Sequence, residues 1–407
     1  MCIRFNQEIN FLMLIKKILY TLLFVACIRI GNFFPVQYVD QNYLYSTLRN
    51  NSTFQLFTLF FQGQYFIFGI FSLGILPNIN ASVVMQFLVS TIPFFKQIQK
   101  EEGESGRKKI TQYTRYLTVL ISFYYSGLIV VLLKPYVFDY TFGKAVEIFL
   151  ILSAGSIVTM WFSELITEKG IGNGSSLIIF INILSSLPKT LELFFSTKPE
   201  TIGKLGIILI SLIGIIFVQN STKIVPILST KSMMSNSNNN YLANQSYIPF
   251  RLIQGGVFPI IFATTFLTVF VNTVGNLPFI KNFIEFSYIF LYFGLILLFN
   301  LFYSGINLNP DELTEDLNKM GFIVPDIRPG LQTKQYILQI TNRLSLLGGL
   351  FLAIIATIPN LIGYFDKNVG ILKSFSATSL LILVGVAIDL NRQIRASLLS
   401  EYYKTII

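Results

Sequence analysis

The stretch KEEGESGRKKITQYTRY, Lys100–Tyr116, carries eight charged side chains in 17 residues, in a chain that is only 12% charged. An apolar run ends just before it, at Phe95, and another begins just after it, at Leu117. A charged segment between two runs that water rejects has the pattern of a loop outside a bilayer. The rest of the chain repeats the pattern. Its 407 residues are 53% hydrophobic, with a mean hydropathy of +0.63, which is too apolar for a soluble domain. Apolar runs near the roughly 20 residues that cross a hydrocarbon core recur along it. They predict membrane helices, not the alternating strands of an outer-membrane barrel.

Ten spans are predicted, near 14–34, 73–95, 117–134, 145–166, 175–195, 203–219, 256–275, 285–304, 343–363 and 375–396. The apolar run behind Lys16 and Lys17 looks like a signal peptide, but it lacks a clear small-residue cleavage site and more spans follow, so it is read as a retained first helix. Before the second span, LFFQGQYFIFGIFSLG (59–74) is apolar, short and interrupted by Gly63, Gly69 and Gly74. It predicts a partial helix over 59–72, buried in protein. The Asn/Ser-rich segment 229–247 predicts a long polar loop or plain linker. It falls near the middle of the chain, as expected if five helices are followed by five more, an arrangement found in inverted-repeat transporters and channels.

An even number of spans puts both termini on one side. The segments assigned to that side hold 20 of the 30 Lys and Arg, six of them in 96–116. The positive-inside rule then makes that side cytoplasmic or its equivalent. The same rule accounts for the net charge of +10, so no direct nucleic-acid function is inferred. There are two cysteines, Cys2 and Cys27, and no histidine. A structural disulfide is not expected, and His-based catalysis or metal ligation is excluded.

Three spans carry a polar stripe at helical spacing. In the second it is Ile79, Val83, Gln86 and Ser90; in the fifth Ser175, Ile179, Asn182 and Ser186; in the seventh Ile261, Thr265, Thr268 and Asn272. Interhelical hydrogen bonding explains one such stripe. Three together, each with an aliphatic member, predict a shared aqueous path closed by an apolar constriction that dewets. The stripes hold no ionisable group, which argues against an ion-coupled secondary transporter, the competing reading. Glu147 and Arg29 fall near span ends and are expected at the interface. Spans three and four read as apolar on most of their surface.

Catalysis finds little support. KGIGNGSS (169–176) has glycines without the strand or the Lys-Ser/Thr of a phosphate loop, and is read as a turn opening span five. NPDELTEDL (309–317) offers acids for a metal, but Pro followed by acids is a helix start. No cofactor is expected.

The stretch EEGESGRKKITQYTRY resembles, nearly residue for residue, the loop after the second helix in the SecY family of protein-translocation channel subunits. IRIGNFFP (28–35), LGILPNINASVVMQFL (73–88), ITEKGIGNGSSLIIF (166–180), MGFIVPDIRPGLQT (320–333) and TSLLILVGVAIDLNRQI (378–394) follow in the family's order. The resemblance implies an all-α integral membrane protein, ten transmembrane helices in two pseudo-symmetric halves around a central pore, with 59–72 as a plug. It implies a pore ring of Ile79, Val83, Ile179, Ile261 and Ile382, with the polar Ser175 at the sixth position. A lateral gate would open between spans two and three on one side and seven and eight on the other.

The resemblance also implies partners: a small SecE-type membrane subunit, a SecA-type ATPase or a ribosome as the driver, unfolded precursor proteins, and lipid. Arg328 matches a functionally sensitive arginine of the family. With Arg107, Lys108, Lys109 and Lys223 it forms the expected docking set. The loop after span six departs from the family's basic cluster, keeping Lys223 and little else. Phe, Ile and Asn-rich usage and the lack of a transit segment point to a plastid thylakoid membrane, with a bacterial inner membrane as the alternative.

Overall fold

The computed structural model describes residues 2–44, 68–101, 103–195, 201–229, 246–256, 258–274, 281–307, 310–325, 327–365 and 377–406. They divide between two units, Met1–Glu192 with Val386–Ile407, and Leu193–Gly385. Four stretches among them are long and apolar enough to cross a membrane: Gly103–Tyr136, Phe142–Lys169, Ile289–Met320 and Leu331–Ile358. Shorter apolar helices cover Gly174–Ser185 and Ser211–Asn220.

In the first unit, α1 (Cys2–Phe33) and α2 (Leu76–Thr91) precede the charged stretch. That stretch is not a loop. Pro93–Glu101 forms α3, and Gly103 opens α4, Gly103–Leu133. Glu, Lys, Arg and Gln are good helix formers, so charge gave no argument for coil. Pro93 suits a first helical position. Gly103, at φ +55°, makes the break, in a region that a side chain would strain. Helix α4 then carries the charged residues straight into span three. Helices α5 (Phe142–Lys169) and α6 (Gly174–Phe195) follow. Helix α1 packs on α5, α2 on α3 and α4, and α4 on α5.

Spans three and four are less apolar than their average hydropathy suggested. In α4, Thr118, Ser122 and Ser126 are fully buried at a spacing of four; in α5, Ser153, Ser156, Thr159 and Ser163 are buried at spacings of three and four. Most of these hydroxyls donate to carbonyls one turn back, as Ser122 does to Val119 (2.8 Å) and Ser153 to Leu150 (3.0 Å). Apolar helices gain nothing by leaving lipid for each other, so small residues that allow close contact hold them together. Where α5 meets the segment before α2, Gly155 allows an equally close approach: a Cβ there would overlap the Ile70 carbonyl oxygen.

At the end of α4 away from the charged stretch, three segments knit together. Val39 bridges to Val137, and Pro35 to Gly69. Val36 N donates to the Phe68 carbonyl (2.9 Å) and Ile70 N to the Phe34 carbonyl (3.0 Å). Gln41 clamps Phe68 on both sides, accepting from its N–H (2.9 Å) and donating to its carbonyl (3.3 Å). Val36, Leu44, Phe68, Leu73, Leu133, Ile148 and their neighbours form the core beneath. The described part of the partial helix expected over 59–72 is not helical: Phe68–Ser72 are bridge and turn, tied down by backbone bonds, and 59–67 lie outside the described residues.

The second unit contains α7 (Thr201–Asn220), α8 (Phe258–Val274), α9 (Lys281–Asn307), α10 (Pro310–Met320), α11 (Leu331–Phe365) and the start of α12 (Ala377–Ile406), whose remainder from Val386 belongs to the first unit. Helix α9 packs on both α8 and α11. Asn300 donates to the Ser345 carbonyl (2.7 Å), and Gly348 lies against the Leu252 carbonyl.

The all-helical expectation fails here. The flanks of the polar segment are strands, β1 (Thr222–Ser229) and β2 (Ser246–Arg251), and with β3 (Phe322–Ile323) they form an antiparallel sheet in the order β2-β1-β3. The register pairs Val225 with Ile248 and Leu228 with Ile323. Residues 230–245 lie outside the described residues. Alternation explains the strands: Val225 and Ile227 face inwards, whereas Ile224 is exposed. They join Phe250, Leu317, Val324, Ile337, Ile340 and Leu344 in one core. Pro310 does open a helix: Asp311 and Glu312 sit in its first turn, and Thr314 Oγ1 donates to the Pro310 carbonyl (2.6 Å).

Candidate functional site

The residues expected to form the pore ring fall on four helices. Ile79 and Val83 are one turn apart on α2, Ile79 buried and Val83 half-buried. Of the remaining stripe on α2, Gln86 and Ser90 are exposed, and Ser90 Oγ donates to the Phe87 carbonyl (2.8 Å). Asn78 and Asn80 flank Ile79 and zip α2 to α4. Thr118 Oγ1 donates to Asn78 Oδ1 (3.2 Å), and Asn80 Nδ2 donates to the Tyr125 hydroxyl (2.8 Å). These two asparagines were not singled out in the sequence, although two amides in one apolar span were the available signal.

On α6, Ser175 and Ile179 are one turn apart, Ser175 half-buried and Ile179 buried. The glycine-rich turn before them is a helix start, as expected, and its glycines are steric. A Cβ on Gly174 would overlap the Ser163 carbonyl, and Gly172 sits at φ +89°. Asn173 caps the helix, its Oδ1 accepting from Ser175 N (3.3 Å) and Ser175 Oγ (2.8 Å). The hydroxyl at the one polar ring position is thus engaged in the cap. Asn182, one turn beyond Ile179, is buried. The side chains of Ser186, Thr265, Thr268 and Asn272 lie outside the described residues.

Ile261 on α8 and Ile382 on α12 are both half-buried. The Ile261 carbonyl accepts from Thr264 Oγ1 (2.8 Å), and beside Ile382 the Leu381 carbonyl accepts from Gln219 Nε2 of α7 (3.4 Å).

Arg29, expected at the interface, does more than sit there. It is half-buried on α1, and its Nη2 donates to the Ile181 carbonyl of α6. Glu147 is exposed on α5.

The docking set divides. Arg107, Lys108 and Lys109 are exposed on the first turns of α4, with Lys108 3.6 Å from Glu104. Deeper on the same helix Arg115 Nε donates to Glu164 Oε1 of α5 (2.8 Å). Lys223 is exposed on β1, opposite Phe250, and Arg328 is exposed in the turn after β3, its carbonyl accepting from Thr333 Oγ1 (2.9 Å). The sheet therefore unites two loops that lie far apart in sequence and that the sequence treated separately. Lys334 at the start of α11 pairs with Asp311 of α10 and braces the same subdomain.

Buried hydroxyl seams, long apolar helices and neutral aliphatic faces define a multi-pass helical membrane protein. The SecY family model matches residues 69–391. The chain is 43% identical over 404 residues to the protein translocase subunit SecY of Porphyra purpurea, covering 95% of this chain and 97% of that one. Its Synechocystis counterpart is 38% identical over 418 residues, covering 96% and 93%. Among solved structures, one titled the structure of a protein conducting channel superposes with a TM-score of 0.68 at 15% identity, covering 95% of this chain and 93% of that one. Sec61 in the canine ribosome-channel complex superposes at 0.62 and 15%, with the same coverage. At that identity the structures speak for the fold alone. The chain belongs to the SecY family of protein translocase subunits, protein-conducting channels and not enzymes.

Proposed function

We propose that ten transmembrane helices, in halves 1–195 and 203–407, surround a path for unfolded precursor proteins. Ile79, Val83, Ser175, Ile179, Ile261 and Ile382 line its narrowest point. A neutral aliphatic ring grips an extended chain without reading its sequence, and it dewets when empty. Apolar precursor segments leave sideways, because lipid solvates them better than a water path does. The stretch 59–72 serves as the plug. The observation that carries this reading is a likeness running nearly the whole length of the chain, joined to stripes free of ionisable groups.

The driver docks on the Lys223–Arg328 subdomain and on Arg107, Lys108 and Lys109. A SecA-type ATPase or a ribosome fits that role; relatives of this fold have been seen in ribosome complexes. A SecE-type subunit clamps the halves. The membrane is the thylakoid of a plastid, a reading supported by algal and cyanobacterial relatives.

The test places single cysteines at Ile79 and Ile261 and stalls a secretory precursor carrying a thiol-reactive probe. Adducts at both positions are expected. Their absence while the channel is engaged refutes the path.

A further inference from the structure

Arg29 is a half-buried charge near the end of α1, which is costly unless it does something. Its neighbours on α1, Ile28 and Asn32, are buried, and among the described residues no acidic side chain pairs with it. What it has is the Ile181 carbonyl, on a helix 152 residues away in sequence. A helical carbonyl keeps a second lone pair after its own helix bond, and a guanidinium offers a rigid fork of donors that never loses its charge. A charge-assisted bond of this kind fixes both the height and the rotation of one helix against another. The bond falls two residues after Ile179, next to the buried Asn182. About two turns further on, α6 carries Pro188, which leaves the Leu184 carbonyl without its helical donor and weakens the helix at that point. Arg29 therefore holds α6 just before its weak turn.

We propose that Arg29 is a positioning residue of the conducting path: bound to the Ile181 carbonyl, it sets where α6 presents Ile179. This rests on the reading of Ile179 as a ring member. Arg29 itself need not touch the precursor.

The experiment uses the complete translocase reconstituted in liposomes, with Cys2 and Cys27 replaced by Ser. A stalled precursor carries the thiol-reactive probe, and single cysteines stand at Ile179 or Ile79. With Arg29 intact, both positions form adducts; absence of both would defeat the channel reading itself. Arg29→Met removes the donor and is expected to lower the Ile179→Cys adduct about tenfold, equivalent to about 1.4 kcal/mol. The Ile79→Cys adduct, on α2, stays within about twofold of its original level. Arg29→Lys keeps a charged donor at similar reach and recovers part of the Ile179→Cys adduct. The proposal is overturned if Arg29→Met leaves the Ile179→Cys adduct unchanged, if both adducts fall together, or if Arg29→Lys loses as much as Arg29→Met.

Discussion

The α4–α5 seam and the β-sheet subdomain solve the same problem of holding secondary structure together, by opposite means. In the seam, side chains are removed. Ser and Thr line both helices, and α5 continues the pattern against the segment before α2, where Gly155 lets the Ile70 carbonyl touch the helix and Thr159 Oγ1 donates to the Gly74 carbonyl (2.8 Å). In the sheet subdomain, side chains are added. Phe250, Leu317, Ile337 and their neighbours fill a core of the kind found in a small soluble protein. The difference follows from the solvent. Lipid gives apolar helices no reason to associate, so close approach and hydrogen bonds must do it. Water drives apolar groups together without regard to direction.

The contrast breaks most sharply at Gly155. Gly155→Leu drives a side chain into backbone that has nowhere to go, and the expected loss exceeds about 4 kcal/mol. Thermal unfolding of the purified protein and its yield in the membrane check this; near-normal values would show that the seam is not tightly fitted. Phe250→Ala, by contrast, leaves a cavity and costs about 3–5 kcal/mol locally. Limited proteolysis should then cut within the sheet subdomain while α4 and α5 remain protected. If the seam opens as well, the two regions are not independent. The smallest effect is expected at Tyr125→Phe, which deletes the bond to Asn80 and costs about 0.6 kcal/mol, the average for such pairs in membranes. A shift in unfolding midpoint as large as that of Phe250→Ala would mean that hydrogen bonds, and not close approach, dominate the α2–α4 contact.

What the sequence revealed divides along similar lines. Hydropathy located the four stretches that, among the described residues, are long and apolar enough to cross a membrane, and Pro310 with its following acids announced α10, because these are local signals that survive averaging. The hydroxyls of α4 and α5 were lost in the same averaging: Thr118, Ser122 and Ser126 are spaced by four, but strongly apolar neighbours hide them in any window mean. Lys100–Tyr116 was misread because charge says where a segment lies and not how it is coiled; only Gly103 marks the break. The sheet was illegible for another reason. Leu228 and Ile323 pair across three intervening helices, and nothing near either residue names its partner. Ile79, Val83, Ser175 and Ile179, proposed for the ring, were legible as helix faces. The Asn173 cap on Ser175 and the reach of Arg29 to Ile181 were not, since each depends on a backbone group that carries no sequence identity.

The pairing of β1 with β3 also has a consequence for the order of synthesis. β1 and β2 are neighbours in the chain and can close as a hairpin once both have left the ribosome. β3 emerges roughly ninety residues after β1, about 5–20 s later at ordinary elongation rates. For that interval the outer edge of β1 has no strand beside it, while α8 and α9 are still entering the membrane. Each newly made copy thus passes through a stage with an open strand edge, and that stage ends only when Phe322 and Ile323 are delivered to it.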